Sequence, residues 1–134
     1  MTRTDARELL MQGVFQMDIQ ENQSNELLEL LIMDKKLDEE SGAYIRGSFE
    51  TIRRNLIEID DTIEKYATNW SIKRMPKADL AILRVAVSEI LYHDETPNAV
   101  AINEAVEMAK KYCTEDSRKF INGVLGSVER NKNV

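Results

Sequence analysis

The sequence predicts an all-α protein with about seven helices and no strands. Only two prolines and five glycines interrupt its 134 residues, and hydrophobic residues make up 43% of them. Apolar side chains recur every three or four positions along most of the chain, which is the period of an amphipathic helix. A chain of this length is expected to form one domain, with a core large enough to need no metal or disulfide.

Four helices are predicted in the first half of the chain, at residues 4–20, 25–33, 38–55 and 58–68. Each carries a stripe of apolar side chains, which lies on one broad face of the first helix and is expected to face inward in the third and fourth. The stripes consist of Ala6, Leu9, Leu10, Val14 and Met17 in the first helix, Leu27, Leu28, Leu30 and Leu31 in the second, Tyr44, Ile45, Phe49 and Ile52 in the third, and Ile59, Ile63 and Tyr66 in the fourth. Ser24 precedes the second helix and is expected to cap its N-terminus.

Three further helices are predicted at residues 77–93, 99–112 and 115–129. The first of these follows a basic linker, residues 73–74, and Pro76. It is the most apolar segment of the chain, so it is expected to be the central core helix. The last helix follows a polar turn in which Thr114 or Asp116 is expected to be the cap. Its inward side chains are Phe120, Ile121, Val124, Leu125 and Val128. Residues 131–134 are expected to fray.

The charge distribution limits the kind of nucleic-acid binding that can be expected. The formal net charge is −6, and the acidic excess is concentrated in residues 21–65. An acidic chain is not expected to bind nucleic acid tightly and without specificity through counterion release. A modest, partner-assisted RNA site remains compatible with this charge.

Three further features predict a soluble cytoplasmic protein. Cys113 is the single cysteine and cannot form an internal disulfide, which indicates a reducing compartment. No apolar run approaches the roughly 18 residues of a transmembrane helix. The N-terminus carries no basic-then-apolar signal pattern. No membrane association is therefore expected.

Enzymatic and metal chemistry both lack the residues that they require. One histidine and one cysteine cannot supply the three or four ligands of a zinc site, even though Glu89 and His93 lie four positions apart on one predicted helix. Cys113 follows two lysines, but no base is placed beside it, and the chain contains no nucleotide-binding or nucleophile motif. We therefore expect no catalytic residues, no metal and no cofactor.

The turn between the last two predicted helices carries the most specific polar residues. Basic side chains in residues 110–119 can meet phosphates, and the free N–H groups at the start of the last helix can bind an anion. Tyr112 can stack on an unpaired base, and Asp116 or Ser117 can hydrogen-bond a base edge. On spacing alone a structural alternative is favoured, in which Tyr112 and Phe120 are core aromatics and Asp116 is a cap.

Three stretches of the sequence together resemble the NusB family of transcription antitermination factors. The resemblance covers the whole length in order, is strong from Trp70 onward and is weak between residues 20 and 68. The matching residues are Ala6-Arg7-Glu8 with Gln12 and Phe15; Ala81-Ile82-Leu83-Arg84-Val85-Ala86 with Glu89-Ile90 and Pro97; and Val100-Ala101-Ile102-Asn103-Glu104-Ala105-Val106 with Ala109-Lys110, Glu115-Asp116-Ser117 and Lys119-Phe120-Ile121-Asn122-Gly123-Val124-Leu125.

The resemblance implies a fold, a set of partners and a role. The helices would form two small packed bundles, three and then four, within a single domain over residues 1–134, divided into subdomains at 1–69 and 70–134. The partner would be NusE, a ribosomal protein of the small subunit, and the pair would bind the single-stranded boxA segment of nascent ribosomal transcripts. The complex would help RNA polymerase to pass terminators. Some family members form homodimers, so the oligomeric state stays open.

Matching motifs also carry over candidate site residues. The RNA-contacting positions would be Arg3, Arg7, Gln12, Tyr112, Asp116, Ser117 and Lys119. The NusE-facing positions would be Asp79 and Arg84, although Arg84 can equally be a buried arginine paired with Glu104 or Glu89. Positions expected to support the turn, by hydrogen-bonding backbone between helices or by permitting close packing, are Asn103, Asn122 and Gly123.

The thin basic arm at the N-terminus departs from the family pattern. Many members open with a run of arginines, whereas here Arg3 and Arg7 lie one helical turn apart with Asp5 between them. Each lost phosphate contact weakens RNA binding, so we expect weak binding by the chain alone and clear binding only with NusE. Two alternatives stay open. One is a protein-only helical adaptor, and the other is an RNA-binding module related to those fused to RNA methyltransferases, which the lack of a glycine-rich methyl-donor motif disfavours.

Overall fold

The computed structural model describes residues 1–132, which form seven α-helices. The helices are α1 (Arg3–Ile19), α2 (Glu26–Ile32), α3 (Glu39–Arg54), α4 (Leu56–Tyr66), α5 (Lys77–Tyr92), α6 (Asn98–Tyr112) and α7 (Glu115–Asn131). The predicted basic linker lies in a 3-10 turn, Ile72–Arg74, and none of the described residues forms a strand. The all-α prediction is confirmed, and each predicted helix end lies within one or two residues of the observed one.

Three of the helices begin at a capping side chain. Thr2, Asp38 and Thr114 each accept a hydrogen bond from the backbone N–H group three residues further along, which satisfies one of the free donors of the first turn. Asn25 and not Ser24 occupies the cap position of α2, but the Asn25 side chain makes no capping hydrogen bond, whereas the Ser24 hydroxyl accepts one from the Glu26 N–H group over 3.4 Å. Thr114 rather than Asp116 caps α7.

Helix α5 forms the centre of the molecule, as its composition predicted. Every residue from Asp79 to Ile90 is buried. The helices α1, α3, α4, α6 and α7 all pack against α5. A helix that is apolar on nearly all sides must be covered on all sides, and this arrangement covers it.

The helices pack as two groups that share one core. Helices α2 and α3 pack against α1, whereas α4, α6 and α7 pack against α5. Contacts of α1 and α3 with α5 join the two groups into one continuous hydrophobic cluster. The boundary between residues 69 and 70 stays a prediction, and the packing of α4 on α5 and α7 favours a division at Asn55 instead.

The short helix α2 buries only one face. Leu28 and Ile32 are buried, whereas Leu30 is 64% exposed. Gly13 on α1 lets α2 approach closely, because a Cβ atom at this position would lie 2.7 Å from the Cδ1 atom of Leu28. A larger residue at position 13 would force the Leu28 side chain to shift.

The C-terminal end of the chain is more helical than predicted. Helix α7 continues through Asn131, so the expected fraying does not begin there, and residues 133–134 lie outside the described part of the chain.

Within residues 1–132, no helix combines the length and the apolar character needed to cross a bilayer.

Candidate nucleic-acid interface

A bridge of polar side chains joins the middle of α1 to the end of α6 at the protein surface. Lys111 Nζ lies 2.6 Å from Glu8 Oε1, and the Tyr112 hydroxyl donates a hydrogen bond to the same carboxylate oxygen. The Gln12 amide donates to the Tyr112 hydroxyl over 3.1 Å. Glu8 and Gln12 are one turn apart on α1 and therefore share a face. The structure thus brings together Gln12 and Tyr112, two of the residues predicted to contact RNA.

The bridge shifts the protonation equilibria of its three ionisable members. Hydrogen bonds from Lys111 and Tyr112 lower the pKa of Glu8 below its usual value, so its carboxylate is charged at neutral pH. The hydrogen bond to Glu8 raises the pKa of Lys111. Partial burial, followed by the hydrogen bond to Glu8, raises the pKa of Tyr112. Lys111 is therefore a cation and Tyr112 a neutral hydroxyl donor.

The two aromatic residues of the α6–α7 turn differ in their environments. Tyr112 is 37% exposed, so the alternative that makes it a core residue was wrong. Phe120 packs partly buried against the core, which agrees with that alternative. Lys111 Nζ lies 5.5 Å from the centre of the Tyr112 ring. An exposed ring beside a cation is the arrangement on which an unpaired base stacks.

The start of α7 is less suited to anions than its sequence suggested. Thr114 Oγ1 accepts a hydrogen bond from the Ser117 N–H group over 3.1 Å, so this donor is already satisfied. Glu115 and Asp116 place two carboxylates in the first turn. The exposed ammonium of Lys119 lies 3.9 Å from Glu115 Oε1. The positive end of the helix is thus largely compensated from within the protein.

A partly apolar groove lies on the other side of this turn. It has a volume of about 410 Å³, and the residues that line it are Trp70, Met75, Pro76, Asp79, Asp116, Ser117 and Phe120. The Trp70 and Phe120 rings pack edge to face with centroids 6.2 Å apart. Trp70 is still 49% exposed. Asp116 and Ser117, predicted for RNA, therefore line one groove with Asp79, predicted for the partner protein.

Cys113 neighbours Asp79 and is poorly suited to nucleophilic chemistry. Burial raises the pKa of the Cys113 thiol to about 12, and the neighbouring Asp79 carboxylate adds to the shift. The thiol is therefore protonated at neutral pH and unreactive. Among residues 1–132, no group of three or more His, Cys, Asp or Glu side chains is placed to hold a metal ion.

Arg7 lies inside the protein and not on its surface. It is 4% exposed, and its guanidinium forms a bidentate pair with Glu89 at 2.8 and 2.9 Å and a third hydrogen bond to Glu104 at 3.1 Å. The Tyr44 hydroxyl also donates to Glu89. Burial alone would lower the pKa of Arg7, but the hydrogen bonds to Glu89 and its charge raise it overall. Arg7 thus links helices, and its predicted contact with RNA stays untested.

Arg3 diverges from Arg7 although the two lie one turn apart on α1. Its guanidinium lies 4.0 Å from the centre of the Tyr44 ring and 3.6 Å from the Glu40 carboxylate. The Arg3 side chain is 41% exposed. Of the two arginines of the basic arm, only Arg3 therefore presents its charge to solvent.

Arg84 is also a buried arginine, but its partners differ from those expected. Its Nε and Nη2 atoms lie 2.9 and 2.8 Å from the two carboxylate oxygens of Asp60, and Asp18 lies 3.5 Å away. The expected pairing with Glu104 or Glu89 was wrong, because both of those carboxylates face Arg7. Arg84 thus ties α5 to α4 and α1, and a direct role in partner binding stays untested.

The expected supporting roles of three residues in α6 and α7 were wrong. Asn103 and Asn122 are exposed, and no hydrogen bond from either side chain is present in the described part of the chain. A Cβ atom added to Gly123 would meet no atom within 4 Å, so this glycine permits no close approach. The turn is supported instead by the Thr114 cap and by the Glu8 bridge.

Glu8 is the site residue that the sequence reasoning missed. Its contact with Lys111 joins positions 103 residues apart, and the spacing of residues within one helix carries no information about such a pair. The only local signal is that Glu8 precedes Gln12 by one turn on the same face of α1.

Relatives of known family match the chain over nearly its full length. The model of the NusB family matches residues 4–130. The transcription antitermination protein NusB of Ruminiclostridium cellulolyticum is 39% identical over 130 residues, which cover 97% of this chain and 90% of the relative. The NusB protein of Thermoanaerobacter sp. is 43% identical over 132 residues, with 98% and 93% covered.

Solved structures agree with the sequence relatives. A crystal form of T. maritima NusB superposes with a TM-score of 0.92 at 32% identity, covering 98% of this chain and 92% of the other. NusB in a crystal structure of the antitermination factors NusB and NusE with dsRNA superposes with a TM-score of 0.88 at 26% identity, covering 96% of each chain. Because family model, relatives and fold agree along nearly the whole chain, this protein belongs to the NusB family.

Proposed function

We propose that this protein is a non-enzymatic, cytoplasmic transcription antitermination factor that binds boxA RNA together with NusE and joins the antitermination complex of RNA polymerase. The observation that carries the proposal is the full-length match to NusB proteins, one of which was solved together with NusE and RNA. The affinity for RNA would come from many contacts shared between this protein, NusE and the RNA. Such an adaptor needs no deep enclosed pocket.

The RNA would lie along the edge formed by α1 and the end of α6. Tyr112 offers an exposed ring for stacking and Gln12 an amide for a base edge, and both occupy one small area of the surface. Arg3 and Lys119, whose side chains are exposed, would contribute phosphate contacts. Arg7 would act from behind this edge, by fixing α1 against α5 and α6.

NusE would occupy the groove beside Trp70. The groove combines the apolar surface of Trp70 and Phe120 with the carboxylates of Asp79 and Asp116. A partner segment that carries an apolar side chain next to a cationic one matches this surface in shape and charge. Asp116 and Ser117 would then serve the protein partner at least as much as the RNA.

One observation favours the second candidate, a helical adaptor that binds protein only. Of the two arm arginines, Arg7 is buried and already paired, so the arm presents a single exposed arginine. Each absent phosphate contact reduces RNA affinity.

Fluorescence anisotropy with labelled boxA RNA separates the two candidates. The proposal predicts weak binding by the protein alone and clearly tighter binding when purified NusE is added, with a scrambled RNA of equal length as the control. Binding of NusE without any gain in RNA affinity would favour the protein-only adaptor. Tight binding of boxA by the lone protein at physiological salt would contradict the expected dependence on NusE.

A further inference from the structure

A carboxylate of the protein already occupies the place where a ligand of the RNA edge would be expected. Glu8 Oε1 receives both the Lys111 ammonium, at 2.6 Å, and the Tyr112 hydroxyl. Gln12 holds the Tyr112 hydroxyl from the other side. Two donors from the end of α6 therefore converge on a single oxyanion, and Gln12 of α1 donates to one of these donors.

These donors suit a phosphodiester as well as they suit a carboxylate. An ammonium and a neutral hydroxyl both donate to anionic oxygen, and such charge-assisted hydrogen bonds are short and strong with either group. The carboxylate of Glu8 thus shows the chemistry that this place recognises. A phosphodiester has the same charge and offers equivalent acceptor oxygens.

We propose that Lys111 and the Tyr112 hydroxyl, which Gln12 holds in place, form a subsite for one backbone phosphate of the RNA, and that Glu8 closes this subsite until RNA displaces it. The inference rests on the proposed function, because it requires that RNA lies along the α1–α6 edge. Lys111 then becomes a phosphate contact, and Glu8 becomes the residue that limits the affinity for RNA.

Because the bridge lies at the surface, replacing Glu8 with a phosphate should cost little free energy. The Lys111 side chain is 61% exposed and that of Glu8 is 22% exposed, so both can reach water when the contact opens. Ion pairs at exposed positions contribute little stability because solvent screens them. The Arg7–Glu89 pair, with side chains 5% and 1% exposed, is closed to a ligand by comparison.

The test compares Glu8→Gln with Glu107→Gln in boxA binding by the complex with NusE. Both substitutions remove one negative charge, but Glu107 pairs with Lys110 on the same helix and does not contact the bridge. We expect Glu8→Gln to raise RNA affinity about twofold to fivefold relative to Glu107→Gln. Thermal melts of both variants verify that the fold is retained.

The salt dependence provides a second readout. In the unchanged protein, the contact between Lys111 and phosphate frees Glu8, which recruits a cation and offsets the counterion released from the RNA. Glu8→Gln removes this offset, so the slope of log affinity against log salt should steepen by about 0.7. In a Lys111→Gln background, Glu8→Gln should no longer raise the affinity.

Three outcomes would overturn the inference. If Glu8→Gln matched Glu107→Gln in affinity and slope, or weakened RNA binding, the subsite would be refuted while the proposed function stood. A gain that persists without Lys111 would show a general charge effect and not a closed subsite. If no variant bound boxA even with NusE present, the proposed function would fail, and the inference with it.

Discussion

Arg7 on α1 and Glu89 on α5 form a bidentate ion pair inside the protein, with nitrogen–oxygen distances of 2.8 and 2.9 Å. Glu104 of α6 and the Tyr44 hydroxyl of α3 complete the cluster, so four helices meet at it. Because α1 also carries Gln12, this pair fixes the helix that presents the proposed RNA edge. Arg7, which the family resemblance predicts to contact RNA, is thus a buried residue that holds helices together.

Removal of Arg7 should destabilise the whole fold. Arg7→Ala leaves Glu89 buried without its counter-charge, and we expect the free energy of unfolding to fall by about 3–5 kcal/mol. Urea denaturation followed by circular dichroism measures this loss. Arg3→Ala is the matched control, since the Arg3 side chain is 41% exposed and should cost less than about 1 kcal/mol. Equal losses in the two variants would contradict the structural role of Arg7.

Arg84 should contribute to stability and not directly to the binding of NusE. Arg84→Met keeps the apolar packing but removes the hydrogen bonds to Asp60 and Asp18, whose side chains are about a fifth exposed and can be hydrated. We expect a loss of about 1–3 kcal/mol in unfolding free energy, with NusE affinity of the folded variant unchanged. Lys77→Met, which removes a more exposed partner of Asp18, is the control. A fully stable Arg84→Met protein that failed to bind NusE would refute this assignment.

The exposed indole of Trp70 should matter for partner binding more than for stability. Trp70 is 49% exposed and lines the groove proposed for NusE. Trp70→Ala should weaken NusE binding by about 2 kcal/mol or more, as is typical of an aromatic residue at the centre of an interface. Isothermal titration calorimetry measures the affinity. Ile57→Ala, at an 81% exposed position outside this groove, should leave it unchanged. Similar losses in both variants would exclude the groove as the docking site.

The thiol of Cys113 should react slowly in the folded protein. Its pKa is raised to about 12, chiefly by burial, so the reactive thiolate is scarce at pH 8 and increases only as the pH rises toward that value. We expect alkylation by iodoacetamide at pH 8 to be at least about tenfold slower than that of free cysteine. The same reaction in denaturing urea, where the environment is lost, should reach the rate of free cysteine. Rapid labelling of the folded protein would contradict the buried environment.

Local patterns were sufficient to predict the helices. The three- to four-residue recurrence of apolar side chains identifies all seven, and the continuous apolar run before residue 92 identifies α5 as the core. The apolar pattern of α2 does not show which of its leucines are buried, since this helix of seven residues packs only one face and leaves Leu30 in solvent. The cap position of α2 was misplaced by one residue, from Asn25 to Ser24, because several polar residues precede α2 and the pattern does not choose among them.

The candidate site was harder to predict than the helices, because the contacts that define it join residues far apart in the sequence. Nothing in the local sequence distinguishes Arg7, which is buried against Glu89, from Arg3, which is exposed one turn earlier. The partners of Arg84 come from α1 and α4, and α4 lies within residues 20–68, where the resemblance to the family is weak. Glu8 meets Lys111 only because the fold brings α1 beside the end of α6.

The most direct test of the central claim is the boxA affinity of the NusE complex with Tyr112→Ala. Loss of a stacking ring costs about 1–3 kcal/mol, so we expect RNA to bind about fivefold to 150-fold more weakly. NusE affinity and unfolding free energy should stay nearly the same, because Tyr112 is exposed and lies outside the Trp70 groove. An unchanged boxA affinity in a folded, NusE-bound Tyr112→Ala protein would contradict RNA binding along the α1–α6 edge.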